Sequence, residues 1–305
     1  MTRIAGVFPV LPTIFDADGR VDREGFARVV DYVIASGADG CVFPGLASEY
    51  DELTLDERLD LMALAGELTR GRIAFVAGAG GRSDAESAAL ALAAKQAGAA
   101  ALMVVTPHRL DGDEAGLAAF YRYLGSVADT PIMLQNAPRP MGLGLSPDAI
   151  LRLVEQAPAI RYVKEENMPC GQRITALLDG AKGGLDGVFG GAGGRYITDE
   201  LARGATGTMP ACELAEMHAA MFAAHRAGDE GQVRRLFERM LPVLLMQAVF
   251  RWRLTKEVLR RRGLIDSAFV RAAGPAFDAM DHRELTQMLL LLEDLTGPLS
   301  HPAAV

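Results

Sequence analysis

The chain is poor in cysteine and histidine, the residues that build disulfide frameworks and many metal sites. It has three cysteines and five histidines in 305 residues, and neither set has the spacing of a disulfide scaffold or a zinc site. Its formal charge of −8 argues against a nucleic-acid partner. Its first residues show no signal-peptide pattern, and no apolar run is long enough to span a membrane. These absences predict a reduced, cytoplasmic compartment and no membrane partner.

Lysine is scarce as well, and one lysine stands in an unusual place. The four lysines are Lys95, Lys164, Lys182 and Lys256. Only Lys164 closes a run of β-branched and aromatic residues, Ile160–Glu166, which has the composition of a buried strand. Burial disfavours the charged form of an amine, and a neutral amine attacks carbonyl compounds. Lys164 is therefore a candidate nucleophile, with the alternatives that it reaches the surface or pairs with Glu165 or Glu166.

Apolar strand candidates alternate with helical stretches over the first 210 residues. The strand candidates are Gly6–Phe15, Gly40–Gly45, Ile73–Gly78, Ala101–Pro107, Pro131–Pro138, Ile160–Glu166, Gly187–Gly191 and Gly204–Pro210. The helical stretches are Arg23–Ser36, Leu55–Thr69, Asp84–Gln96, Gly116–Ala128, Pro147–Gln156, Gln172–Asp179 and Ile197–Arg203. Eight such units predict a (β/α)8 barrel with a parallel sheet inside and helices outside. A doubly wound open sheet is the competing architecture, but no G-x-G-x-x-G motif follows the first strand.

After Cys212 the pattern becomes entirely helical. The periodicity predicts helices over Glu213–Arg226, Asp229–Arg262 and His282–Leu295. We therefore divide the chain into a catalytic barrel, residues 1–225, and a C-terminal helical extension, residues 226–305. We interpret the basic cluster Arg260–Arg262 as the solvated face or the C-terminal end of its helix.

Polar and small residues follow several of the predicted strands, where a parallel barrel carries its active site. They are Gly45–Glu49, Thr106–Arg109, Gln135–Pro138, Lys164 with Glu166, and Gly190–Gly194. Strand alternation places Lys164 and Glu166 on the lumen face, and Gln135 reaches inward from the neighbouring strand. Backbone amides around Ala47 and the hydroxyl of Ser48 could hold a carboxylate. An imine-forming amine opposite such a loop suits a 2-oxo acid substrate.

Short motifs in this chain carry a family resemblance. They are Gly6–Thr13, Gly45–Glu49 followed by Leu53–Arg58, Thr106–Pro107, Asn136–Pro138 and Val163–Glu165. Through them the chain resembles the dihydrodipicolinate synthase / N-acetylneuraminate lyase superfamily over essentially its whole length. The resemblance implies a (β/α)8 barrel with a C-terminal helical extension, a homotetramer, and class I aldolase-type chemistry.

The resemblance also implies roles for individual residues. Lys164 forms a Schiff base with the C2 carbonyl of a 2-oxo acid. The substrate carboxylate binds at Ala47 and Ser48, which replace a threonine and a glycine of the usual loop. No cofactor or metal is expected, since the strand ends carry no histidine–carboxylate cluster of the kind a metal-dependent aldolase needs.

Other positions depart from the superfamily pattern. The tyrosine before the Asn-x-Pro of strand five, a proton relay in the family, is Gln135 here, and an amide cannot donate and recover a proton as a phenol can. The two tyrosines that follow Thr-Pro in synthase members are His108 and Arg109. The arginine two residues after the strand-five proline is Pro140, and Arg139 is adjacent but out of register. These changes argue against the formation of dihydrodipicolinate.

An imine on Lys164 opens two routes. Removing a proton from a C4 hydroxyl breaks the C3–C4 bond, whereas removing a proton from C3 leads to loss of the C4 hydroxyl as water. Branches of the superfamily that dehydrate 2-keto-3-deoxy sugar acids need no relay to O4. The residue Gln135 therefore favours a dehydratase, with L-2-keto-3-deoxyarabonate as substrate and 2-oxoglutarate semialdehyde as product. The alternatives are a retro-aldol lyase that releases pyruvate, a pyrroline-4-hydroxy-2-carboxylate deaminase, and an inactive barrel that senses a ligand.

The candidate catalytic residues are Lys164, Gln135 and Glu166. The candidate substrate-binding residues are Ala47, Ser48, Glu49, His108, Gly190 and Gly191. Glu166 serves as a base or hydroxyl ligand near C3 or C4, or it orients Lys164. Glu49 has the alternative role of stabilising its loop. His108 and Arg195 could each contact the distal end of the substrate or another subunit.

Overall fold

The computed structural model describes residues 4–300, in which eight parallel strands form a barrel. The strands are β1 Gly6–Val7, β2 Gly40–Phe43, β3 Ala74–Gly78, β4 Ala101–Val105, β5 Ile132–Asn136, β6 Ile160–Glu165, β7 Gly187–Gly190 and β8 Gly207–Thr208. From β2 to β8 each strand pairs with the next one in the chain, and β8 pairs with β1. Val10, just beyond β1, bridges to Val42 of β2 and to Ala211, which brings the two ends of the sheet together. The predicted (β/α)8 barrel is confirmed.

A helix follows each strand, and side-chain caps fix where several of these helices begin. The helices are α1 Arg23–Ala35, α2 Leu55–Thr69, α3 Asp84–Gln96, α4 Glu114–Ala128, α5 Pro147–Gln156, α6 Cys170–Gly180, α7 Ile197–Ala202 and α8 Ala215–Arg226. Before α2, the Thr54 hydroxyl accepts from the Glu57 N–H while the Glu57 carboxylate accepts from the Thr54 N–H. Ser83 and Ser146 cap α3 and α5 through their hydroxyls. The predicted bounds of α2, α3 and α5 agree with the observed ones, because the capping residues can be recognised in the sequence.

The lumen of the barrel is filled with side chains below its C-terminal rim. These side chains form one buried cluster that includes Phe8, Val42, Val76, Met103, Met133, Tyr162, Phe189 and Met209. A larger apolar cluster lies between the strands and the surrounding helices. Because the lumen is packed, a substrate has to enter from the C-terminal ends of the strands, as in other barrels of this kind.

Further helices follow the barrel, and one predicted helix is broken. They are α9 Glu230–Phe250, α10 Trp252–Arg261, α11 Ala279–Leu290 and α12 Glu293–Thr296. The prediction of one helix over Asp229–Arg262 is wrong at Arg251, whose φ of 48° and ψ of −120° separate α9 from α10. A positive φ is unfavourable for a residue with a side chain, so tertiary contacts have to hold it. One such contact joins the indole N–H of Trp252 to the carbonyl of Leu46 at 2.8 Å. The helix predicted over His282–Leu295 is also interrupted, between α11 and α12.

The basic cluster Arg260–Arg262 lies at the end of α10, as predicted, but it is not a solvated face. Arg261 is fully buried, and its Nε donates to Glu257 at 2.7 Å. The Arg262 side chain is 9% exposed and pairs with Glu216 of α8. Buried guanidinium groups need carboxylate partners, and here those pairs fix α10 against its neighbours. No helix within residues 4–300 has both the length and the apolar character needed to cross a membrane.

Candidate active site

Lys164 lies near the end of β6 with its side chain almost completely removed from solvent. Its Cα stands in register with that of Gln135 on β5, and the residue is 3% exposed. Two residues earlier, Tyr162 packs into the lumen cluster, whereas Glu165 points the other way and pairs with Arg173. This alternation puts the amine directly above the packed lumen, on the face that the sequence predicts.

Three side chains converge at this point. The Nζ of Lys164 is 3.2 Å from Oε1 of Glu166. The Nε2 of Gln135 donates to Oε2 of Glu166 at 2.8 Å, and the backbone N–H of Ala192 donates to Oε1 at 3.2 Å. The structure thus brings the three candidate catalytic residues together. Of the alternatives left open for the amine, pairing with Glu166 is the one observed.

Glu166 is ionised in spite of its burial. Burial raises the pKa of its carboxyl, but the ammonium of Lys164 and the hydrogen bonds from Gln135 and Ala192 lower it more, so that the pKa ends below its usual 4.5. A carboxylate in this position can accept a proton from Lys164, or from a substrate group held beside it.

A cavity of about 300 Å³ opens beside the amine. Lys164 and Glu166 form its buried end, and Ala47 lines it from the loop after β2. Arg195 and Arg251 also line it, and Arg251 is an exposed residue. A cavity of this size, with an apolar lining and a few convergent polar groups, suits a small organic acid.

Two residues of the loop Gly45–Glu49, Leu46 and Ala47, line this cavity. Ala47 lines the cavity, whereas Ser48 is fully buried. The Ser48 hydroxyl donates to the carbonyl of Leu11 at 2.5 Å and accepts from the N–H of Gly45 at 2.9 Å. The structure therefore does not direct this hydroxyl at the substrate, and carboxylate binding at the loop would depend on backbone amides.

Glu49 lies in a buried ion pair and does not line the cavity. Its Oε1 is 2.5 Å from Nζ of Lys256 on α10, and neither side chain is exposed. Its Oε2 accepts from the backbone N–H of Ala272 at 2.8 Å. Burial lowers the pKa of Lys256 to about 8, although the charge of Glu49 opposes that change. Of the two roles predicted for Glu49, this geometry supports stabilisation of the loop.

Gly190 and Gly191 leave room for two carboxyl groups. A side chain at Gly190 would meet the carboxyl of Glu200 on α7, and one at Gly191 would meet the carboxyl of Glu166. Neither glycine lines the cavity, so their closeness to the substrate stays a prediction. Because Gly191 has no side chain, the Glu166 carboxylate has room to lie beside Lys164.

The chain matches the dihydrodipicolinate synthetase family over residues 3–289. It belongs to that family. A 4-hydroxy-tetrahydrodipicolinate synthase of Acidothermus cellulolyticus is 30% identical over 306 residues, which cover 95% of this chain and 91% of the relative. The L-2-keto-3-deoxyarabonate dehydratase of Azospirillum brasilense is 27% identical over 303 residues, 98% of either chain. The crystal structure of YagE from Escherichia coli K12, a family member in complex with pyruvate, matches with a TM-score of 0.85 and 25% identity over 96% of this chain and 99% of that one.

Two positions at which the chain departs from the superfamily's sequence pattern lie outside the cavity that Lys164 lines. His108 lines a neighbouring cavity of about 340 Å³, and its Nε2 is 2.7 Å from the carbonyl oxygen of Pro140. Arg139 pairs with Asp111 at 2.7 Å, and its side chain is 58% exposed. Neither residue supplies a charge next to Lys164, which agrees with the out-of-register position predicted for Arg139.

Residues from the C-terminal helices complete the cavity, and the sequence does not predict them. Gln247, Arg251 and Trp252 line it from the end of α9 and the start of α10. Regular helical periodicity hides the break at Arg251, and nothing local links this segment to Lys164. The one available signal is the chain's single tryptophan. Within residues 4–300, no three histidine, cysteine or carboxylate side chains are grouped so that they could hold a metal ion.

Proposed function

We propose that this family member dehydrates a 2-keto-3-deoxy sugar acid through an imine on Lys164. The proposal depends on one observation: the buried Lys164 amine and the Glu166 carboxylate line the same cavity, and Gln135 donates a hydrogen bond to that carboxylate. Family members with aldol chemistry carry a tyrosine at the position of Gln135. The pyruvate complex of YagE supports a 2-oxo acid as the ligand class.

Imine formation begins with a proton transfer. Glu166, 3.2 Å from the Lys164 amine, accepts the proton that the amine must lose before its nitrogen attacks C2 of the substrate. The carbonyl oxygen leaves as water with one proton from the amine nitrogen and one that Glu166 returns, and the positively charged imine then stands beside the Glu166 carboxylate. Backbone amides near Ala47 hold the substrate carboxylate.

Dehydration needs a base at C3 and protonation of the departing C4 hydroxyl. Glu166 removes a C3 proton to give the enamine. The nitrogen lone pair of the enamine then drives formation of a C3–C4 double bond and breaks the C4–O bond, and the hydroxyl leaves as water with the proton that Glu166 took from C3. For L-2-keto-3-deoxyarabonate, tautomerisation toward C5 and hydrolysis of the imine then give 2-oxoglutarate semialdehyde. Gln135 only donates to Glu166, so it orients this carboxylate and relays no proton to O4.

Support for this substrate class comes from a relative of matched length. The dehydratase of Azospirillum brasilense aligns over 98% of this chain. Synthase activity has less support because Pro140 stands where the synthases carry an arginine, and Arg139 is directed to Asp111 on the surface. L-2-keto-3-deoxyarabonate is therefore the first substrate to test.

A product assay tests the proposal. The purified protein is incubated with L-2-keto-3-deoxyarabonate, and 2-oxoglutarate semialdehyde and pyruvate are quantified in the same reaction. We expect semialdehyde without pyruvate, and no product with Lys164→Ala. Pyruvate without semialdehyde would replace the dehydratase by a retro-aldol lyase. With neither product, the next substrate is pyrroline-4-hydroxy-2-carboxylate.

A further inference from the structure

Two arginines line the cavity that holds Lys164. Arg195 follows the glycine-rich turn after β7, and Arg251 stands at the break between α9 and α10. They come from different parts of the chain, and neither has a role in the proposed chemistry. Arg251 is exposed and Arg195 is partly exposed, whereas Lys164 is buried, so the pair lies toward the solvent side of the cavity.

Neither guanidinium has a carboxylate partner within residues 4–300. Arg195 donates to the amide oxygen of Gln247 at 3.1 Å, and the Arg251 guanidinium lies 4.2 Å from the centre of the Trp252 ring. Burial raises the pKa of Glu213 and the charge of Arg195 opposes that rise, but the Glu213 carboxyl accepts its hydrogen bond from the Thr255 hydroxyl, at 3.0 Å. Many other arginines of this acidic chain are paired, so two unpaired ones in one cavity are unusual.

The two charges also act on each other. Partial burial of the Arg251 guanidinium lowers its pKa, and the positive charge of Arg195 lowers that pKa further. Two like charges repel, and an anion bound between them would relieve that repulsion. The backbone at Arg251 has a positive φ of 48°, a conformation that side-chain-bearing residues rarely adopt. Strain of this kind at a cavity mouth is typical of a binding position.

The charge balance of the cavity points to a ligand with two anionic groups. Its charged lining residues are Lys164, Glu166, Arg195 and Arg251. Lys164 and Glu166 neutralise each other, and the proposed imine keeps that balance. A 2-oxo acid with a single carboxylate would leave one positive charge of the arginine pair uncompensated.

We propose that Arg195 and Arg251 form a distal subsite for a second carboxylate, at the end of the substrate remote from its 2-oxo group. This inference rests on the proposed imine site. Among 2-keto-3-deoxy sugar acids it favours one with a carboxylate at its far end over L-2-keto-3-deoxyarabonate, which carries a hydroxymethyl group there. A planar guanidinium pair suits a carboxylate because each group can donate two parallel hydrogen bonds. Gln247 holds Arg195 in place for that contact.

The competing assignment is that the arginines bind the carboxylate next to the 2-oxo group. In that case they would serve every 2-oxo acid equally, whatever its far end carries. Two five-carbon probes separate the assignments: 2-oxoglutarate has a terminal carboxylate, and 2-oxopentanoate has a methyl group there. Both can form an imine with Lys164.

The experiment measures borohydride trapping of each probe by intact mass as a function of concentration. We expect half-saturation by 2-oxoglutarate at a concentration about tenfold below that of 2-oxopentanoate. The variant Arg195→Gln/Arg251→Gln should weaken trapping of 2-oxoglutarate more than trapping of 2-oxopentanoate and thereby abolish this preference. Arg139→Gln, a surface arginine paired with Asp111, is the matched control and should keep the preference.

Two results would overturn the distal subsite. One is equal half-saturation by both probes in the unmodified protein, and the other is a parallel loss of both probes in the double variant. A readout that needs no imine is calorimetric binding of glutarate against pentanoate, which should favour glutarate only when both arginines are present. If no 2-oxo acid is trapped, the proposed function fails, while glutarate binding still decides the subsite.

Discussion

Lys164 and Lys256 are both buried amines, and their surroundings give them different chemistry. The Lys164 amine has one ionic partner, Glu166, and borders the cavity. The Lys256 amine pairs with Glu49, donates to the carbonyl of Phe269 at 2.8 Å, and lies outside the cavity. An amine that is surrounded on several sides cannot reach a carbonyl carbon. Burial by itself does not make a lysine a nucleophile; access to the ligand also matters.

We therefore expect pyruvate and borohydride to label Lys164 alone. Lys164→Arg keeps a cation beside Glu166 but cannot form an imine, so it should lose the adduct while retaining its fold by circular dichroism. Peptide mass spectrometry locates the label. Lys95→Arg, at an exposed position on α3, is the control and should be labelled like the unmodified protein. A label on Lys256, or one that survives in Lys164→Arg, would contradict the assignment.

At the scale of elements, α10 holds the loop Gly45–Glu49 at both ends. Trp252 donates to the carbonyl of Leu46 at 2.8 Å, and Lys256 pairs with Glu49 at 2.5 Å. Glu49 itself has a positive φ of 56°, so the end of the loop is in a conformation that needs external support. The C-terminal helices therefore shape the proposed carboxylate site as well as packing against the barrel.

Removing Lys256 should destabilise the protein strongly. Lys256→Met leaves the Glu49 carboxylate buried without its partner, which typically costs about 3–5 kcal/mol. Lys256→Met/Glu49→Gln removes both charges and should recover a large part of that loss. The free energy of unfolding in urea measures both effects. Equal losses in the single and the double variant would show that packing, and not the unpaired charge, causes the effect.

The elements that the sequence predicts well are those with local signals. The starts of α2, α3 and α5 follow from Thr54, Ser83 and Ser146, whose caps depend on residues three positions away. The placement of Lys164 and Glu166 on one face follows from strand alternation. Each of these rules acts over a few residues. The barrel and the centre of the site can therefore be predicted from the sequence.

The rest depends on contacts between distant segments. The break at Arg251 carries no glycine or proline, and its support comes from the contact between Trp252 and Leu46 across the chain. The pairing of Glu49 with Lys256 joins the second barrel loop to the C-terminal helices in the same way. The inward turn of the Ser48 hydroxyl likewise depends on the Leu11 carbonyl. None of these contacts leaves a local pattern.

At the scale of the whole molecule, buried titratable groups make stability depend on pH in opposite directions. Burial raises the pKa of Glu200 to about 7 and that of Glu213 to about 7. Burial lowers the pKa of His218 to about 4. The two carboxyls favour the folded state at low pH, because the folded state keeps protons that the unfolded chain releases. His218 acts the other way, since its contribution is complete above pH 6.5 and is lost as the pH falls through about 4.

Glu200 gives the clearest test because the variant Glu200→Gln has the same shape and does not titrate. Below pH 4.5, its ordinary pKa, Glu200 is protonated in both states. Between 4.5 and about 7 only the folded state holds the proton, so the free energy of unfolding falls with rising pH, by roughly 3 kcal/mol in all. Relative to the unmodified protein, Glu200→Gln should gain about 2–3 kcal/mol between pH 4.5 and pH 8, measured by urea unfolding at both values.

The comparison of the two proteins at each pH cancels the contributions of Glu213 and His218, which are present in both. Glu155→Gln, at an exposed position on α5, is the control and should leave the pH dependence unchanged. A constant difference between Glu200→Gln and the unmodified protein across this range would mean that Glu200 titrates alike in the folded and unfolded states. The carboxyl that fills the space behind Gly190 would then be ionised at neutral pH, next to the charge of Glu166.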